Sequence, residues 1–189
     1  ILSAEAALNS PENGYDIDAV TWTPPLPSVA VIALNRMGFG PSPGDIAAFN
    51  ALGADDTARL NAYIDQQLNP DSITDTAYTA RRATANYVAL GKTRTELWAE
   101  YHRAAEYGER RRPIDELEKA TFLRATYSKK QFQELISDFW VNHFNIYGVD
   151  TNLGPMTVDL VENTLRPNLF GNFRTMLEGT TRNSAMLIY

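Results

Sequence analysis

From Ser28 onward, helix-start and helix-stop signals follow one another, and no run of alternating apolar and polar residues interrupts them. A sheet with one dry face needs that alternation, because successive strand side chains point to opposite sides. The chain is therefore expected to be all-α. "SVAVIALNRMGFG" reads as an apolar helix stopped by Gly38 and Gly40. In "SPGDIAAFNALG", Ser42 is the expected N-cap, Pro43 the first helical residue, Asp45 the partner closing a capping box, and Gly53 the C-cap. The pair Asp55-Asp56 opens a third helix that ends at Asn69-Pro70, and a fourth is expected from Asp75 to Leu90. Thr93 with Glu96 forms a second capping box, whose helix should close at Gly108, and Ser128 with Gln131 forms a third. Between these two, "ERRRP" reads as a solvated turn, with Pro113 starting the next helix. Further on lie a helix near residues 157–165, a break at Pro167, a short helix over 172–178 and an apolar helix start in "TRNSAMLIY".

Residues 1–27 differ from all of this. "NSPENGYD" and "TPPLPS" are dense in Pro, Asn and Gly, which punctuate turns and deny the backbone regular ladders. The expected organisation is an irregular N-terminal arm over 1–27 and a helical domain over 28–189. Because the last helical pattern has no stop signal before Tyr189, that domain is expected to be incomplete at its C-terminus. The expected architecture is a multi-helix orthogonal bundle, the N-terminal part of a larger helical protein. With 189 residues, 44% of them hydrophobic, such a chain can bury roughly 70% of its unfolded surface without staples. A net charge of −6 offers no basic field, so nucleic acid is not an expected partner. The absence of cysteine excludes disulfides, thiolate metal sites and thiol catalysis. No apolar run approaches the ~20 residues of a membrane span.

The segment "SDFWVNHFNIYGVD" (137–150) places His143, one of two histidines, among aromatic residues. At about 100° per residue, Leu135, Phe139, Phe132, His143, Ile136, Trp140 and Phe144 fill half the helix circumference. Glu134, Asp138 and Asn145 gather opposite them, and the imidazole is expected to point inward. Three readings follow: a core histidine bonded to another helix, a neutral metal ligand, or a proton carrier beside a cleft. The flanking positions one turn away are Phe139 and Tyr147, so any further metal ligands must come from elsewhere in the fold.

Other motifs are weaker. "GPSPG" has the letters of a nucleophile elbow, but a helical pattern precedes it where that elbow needs a strand. "GFGPSPG" lacks the glycine spacing of a dinucleotide loop. His102, one turn after Trp98, reads as a solvated edge. Arg166, Asn172 and Arg174 flank the Pro167 break, where they could bind an anionic cofactor or bond to exposed carbonyls.

Four stretches taken in order carry a resemblance. "LNRMGFGPSPGDIAAFNALG", "LNAYIDQQLNP", "FWVNHFNI" and "LRPNLFGNFRTMLEGTTRNSAMLIY" resemble the successive blocks of a bacterial family, domain of unknown function DUF1800, over about residues 34–189. The resemblance implies an exported protein, secreted or periplasmic after leader removal. It also implies a longer chain that continues into a helix rich in Glu, Arg and His. On that basis the expected function is a helical enzyme whose centre uses His143 as acid/base or metal ligand and Asn142 to orient substrate. A divalent or transition metal is the candidate cofactor, and a C-terminal segment of the same precursor, or a second polypeptide, would complete the centre. The alternative is a non-enzymatic secretion, assembly or surface-polymer-binding protein that docks a partner through its helices.

Overall fold

The computed structural model describes residues 24–148 and 153–188. The expected N-terminal arm falls mainly on residues 1–23, outside the described residues; residues 24–28 carry no regular structure. The regular structure of the other described residues is all helical, with no strand: α1 (Val29–Arg36), α2 (Asp45–Asn50), α3 (Asp56–Leu68), α4 (Thr76–Ala85), α5 (Arg94–Tyr101), α6 (Tyr107–Tyr127), α7 (Gln131–Phe144), α8 (Gly154–Asp159), α9 (Phe173–Thr181) and α10 (Ser184–Ile188).

Two apolar cores result. The smaller packs Ala30, Ala33, Leu34, Phe49 and Tyr63 among α1, α2 and α3. The larger gathers Leu97 of α5, Ile114, Leu117 and Ala120 of α6, Met156 and Val158 of α8, and Met176 of α9. At its centre, α8 passes without a break into a widened π turn, Leu160–Leu165, and then a 3-10 turn, Arg166–Asn168. Residues 153–161 are buried throughout, so this continuous stretch is the axis of the bundle. Polar groups on the axis are paired, because a buried group left unmet costs about 1–3 kcal/mol. Asp159 accepts from Arg94 Nε at 2.8 Å and from Asn183 Nδ2 at 2.8 Å, tying α8 to α5 and to the start of α10.

Two bidentate ion pairs flank the same axis. Glu162, in the π turn, accepts from both terminal nitrogens of Arg124 of α6 at 2.7 and 2.8 Å. Burial alone would lower the Arg124 pKa, but the hydrogen bonds and charge of Glu162 outweigh it and hold the guanidinium above its usual value. Arg166, four residues on, reaches Glu134 of α7 with two bonds of 2.8 and 2.7 Å, and Ser137 at 3.3 Å. One short segment thus clamps α6 with an anion and α7 with a cation.

The smaller core is joined to the larger at the start of α7. Gln67 is 3% exposed. It donates to the Lys129 carbonyl (2.9 Å) and accepts from the Phe132 amide (3.0 Å). Gln131 accepts from the Phe39 amide at 3.1 Å. At Gly38 a Cβ would lie 2.8 Å from the Gln131 Cβ, so glycine sets how closely α1 can approach α7.

Several helix ends differ from the sequence expectation. Gly44, at φ +92°, occupies the N-cap of α2, while Ser42 only donates its amide to Asp45 (2.9 Å), which is half of the expected box. The fourth helix stops at Ala85 rather than Leu90, because Asn86 takes the left-handed conformation that asparagine tolerates. The helix opened by Thr93, whose box with Glu96 is complete, ends at Tyr101 rather than Gly108. The expected turn "ERRRP" is instead the interior of α6: Arg112 bonds Glu109, Arg111 bonds Asp115, and Pro113 is buried in the core-facing side. The bond lost at proline is offset by burial of its ring. Ser128 does not cap α7. Its hydroxyl donates to Asp75 (2.6 Å) and accepts from the Lys130 amide (3.1 Å).

Removing one member of the Glu134–Arg166 pair leaves a buried, uncompensated charge. Arg166→Leu is expected to lower unfolding free energy by about 3–5 kcal/mol in denaturant titration, and the double change Glu134→Leu, Arg166→Leu to recover most of that loss. Equal losses in the single and double variants would show that the pair does not set the position of α7.

Candidate functional site on α7

Helix α7 is rotated relative to the sequence expectation. The residues it buries are Glu134 and Ser137, because Arg166 draws them to the axis. Leu135, Ile136, Trp140 and Phe144 are half-buried at the flanks, and Trp140, Val141 and Phe144 pack on the larger core. Phe139 is 54% exposed. His143 is exposed as well, so the expected inward imidazole is overturned. The cause is energetic. A charged glutamate finds a bidentate cation inside, and that requirement outranks burial of one phenylalanine, worth about 1.5–3 kcal/mol.

Two aromatic groups lie along the outer side and flank of the helix. Phe139 lies parallel to His143 with ring centres 5.8 Å apart, and Trp140 meets the imidazole edge-on at 5.4 Å. Trp140 stacks on Phe173 of α9 (5.4 Å), and at the other end Phe132 meets Phe170 (5.9 Å). Phe170 and Phe173 are themselves exposed. Beside this surface runs a groove of about 670 Å³ whose polar lining is Arg36, Asp138, Asn142 and His143. Asn142 donates to the Asp138 carbonyl one turn earlier (2.8 Å). Arg36 was not singled out by its sequence context; only the packing of α1 brings it to this groove.

The other candidate residues do not join this group. Arg166 is committed to Glu134 and Ser137. Asn172 caps α9 by accepting from the Arg174 amide at 2.9 Å. The Arg174 side chain is exposed. His102 is half-buried: its ring stacks on the exposed Trp98 at 3.5 Å, and its Nδ1 is buried without a partner among the described residues. Among the described residues no three His, Asp or Glu side chains are placed to hold a metal ion. No helix among them is long and apolar enough to cross a membrane.

Fold and surface together define an all-helical domain with an outward aromatic stripe. The chain belongs to the family of proteins of unknown function DUF1800, whose pattern matches residues 32–189. No curated protein and no solved structure matches it.

Because Phe139 projects outward, Phe139→Ala is expected to change stability by less than about 1 kcal/mol. Phe49→Ala, in the smaller core at 2% exposure, is expected to cost about 3–5 kcal/mol. Unfolding curves of the two variants check the orientation of α7; similar large losses would place Phe139 inside.

Proposed function

We propose that this domain is a docking module of an exported bacterial protein, receiving a polypeptide on the aromatic face of α7. The observation that carries the reading is the rotation of α7, which buries Glu134 and Ser137 while Phe139 and His143 face outward. Exposed aromatic surface is the composition of interface centres, where large rigid rings bury much area at small entropic cost. Arg36 and Asp138 put one charge of each sign on the groove, which suits a mixed, amphipathic helix better than a uniformly charged polymer. The polypeptide is either a C-terminal segment of the same precursor or a second chain. The expected setting is the periplasm or the medium, as the family resemblance implies.

A photo-crosslinking residue at position 139 of the full-length protein, in cells fractionated by osmotic shock, tests the docking reading. An adduct is expected in the exported fraction, shifted in mass for a second chain and internal to the chain for its own segment. The same residue at Lys119, exposed on α6, is expected to give none. Identical adducts at both positions, or none at 139, would refute the docking face.

A second reading has one observation in its favour: the groove puts His143 beside Asn142 and Asp138, an imidazole, an amide and a carboxylate. It assigns His143 as acid/base or ligand of a divalent or transition metal, with Asn142 positioning the reactant. Elemental analysis of the full-length protein and of His143→Ala separates the two. Docking predicts no stoichiometric metal in either; a metal lost with the imidazole would favour the centre.

A further inference from the structure

A second cavity, of about 450 Å³, lies between α5 and α10 and shares no lining residue with the groove beside His143. Its size falls within the roughly 300–1,000 Å³ of small-molecule sites. The apolar part of its lining is open to a ligand rather than sealed in a core: Trp98 is 40% exposed, Leu187 73% and Ile188 48%. His102 stacks on one face of the Trp98 ring, with centres 3.5 Å apart, and so steadies that wall.

The polar side chains of the lining are Arg94, Thr95 and Ser184, and no carboxylate lines it among the described residues. Arg94 is held from the inner side. Its Nε donates to Asp159 at 2.8 Å, while Asp159, buried, also accepts from Asn163 at 3.0 Å and from Asn183 at 2.8 Å. Those two amides share the charge of Asp159, so the outward edge of the guanidinium remains an anion-binding group. Its two terminal nitrogens have no partner among the described residues, and half of the side chain is exposed. A planar fork of free N–H groups matches a carboxylate, which takes two parallel bonds and, when ionised, donates none. One cation beside an apolar wall suits a single negative charge on an apolar body; a phosphate monoester, with a charge of about −1.5 to −2, would leave part of its charge unmet.

We infer that the cavity between α5 and α10 binds an aliphatic monocarboxylate, a fatty acid, with its carboxylate on the terminal nitrogens of Arg94 and its chain along Trp98, Leu187 and Ile188. This site is separate from the aromatic face of α7 and does not depend on what docks there.

Calorimetric titration of the full-length protein with hexanoate, octanoate and decanoate, each below its micelle concentration, tests this. A single saturable site is expected, with affinity rising along the series, by up to about fourfold for each methylene buried. Decan-1-ol, with the same chain and no charge, is expected to bind roughly tenfold more weakly, as loss of a charge-assisted bond does. Arg94→Lys keeps the cation and loses the fork, and is expected to weaken decanoate about tenfold. Should that variant unfold, Leu187→Asp gives the same readout: it sets a like charge against the ligand from an exposed position. Phe122→Ala, exposed on α6 and away from the cavity, is expected to change nothing. The inference is overturned by no saturable heat with decanoate, or by decan-1-ol or decyl sulfate binding as tightly. Unchanged affinity in the folded Arg94 or Leu187 variant, or an equal loss in Phe122→Ala, would overturn it as well.

Discussion

The arrangement of the larger core depends on a single stretch that carries opposite charges four residues apart. Glu162 takes Arg124 of α6, and Arg166 takes Glu134 of α7, each through two short bonds. Pairs like these give little net stability over apolar side chains of similar size, because both ions must be stripped of water. Their effect is on uniqueness. Any other rotation of α7 would leave Glu134 or Arg166 without its partner in a low-dielectric interior, which is far costlier than exposing an aromatic ring. The π turn belongs to the same arrangement: it lies where the axis must deliver one charge to each side.

The helical class of the fold was legible because start and stop signals are local. Asp55 and the Thr93–Glu96 box act through bonds to residues three positions away, and they appear as expected. The family blocks were legible for a different reason, since their residues are read directly in order. What was not legible was anything decided at a distance. Pro113 and "ERRRP" resemble a turn because their local chemistry does, yet Ile114 and Leu117 bury that segment against α8 and carry α6 straight through it.

The orientation of α7 is the sharpest case. Helical periodicity assumes that the apolar side of a helix faces the core. That assumption fails when a distant residue supplies a buried counter-charge, and Arg166 lies 32 positions away from Glu134. Asn142 and His143 are adjacent in sequence, whereas the groove that unites them with Arg36 is a property of packing alone.

The rotated helix has a consequence for how such a sequence can diverge. Because polar partners on the inner side hold α7 in place, the rings on its outer side carry little of the fold's stability and are released from the usual demand to fit a core. Mutation can therefore rewrite that surface, one side chain at a time, without passing through unfolded intermediates. The outer and inner residues of this one helix can therefore be selected separately.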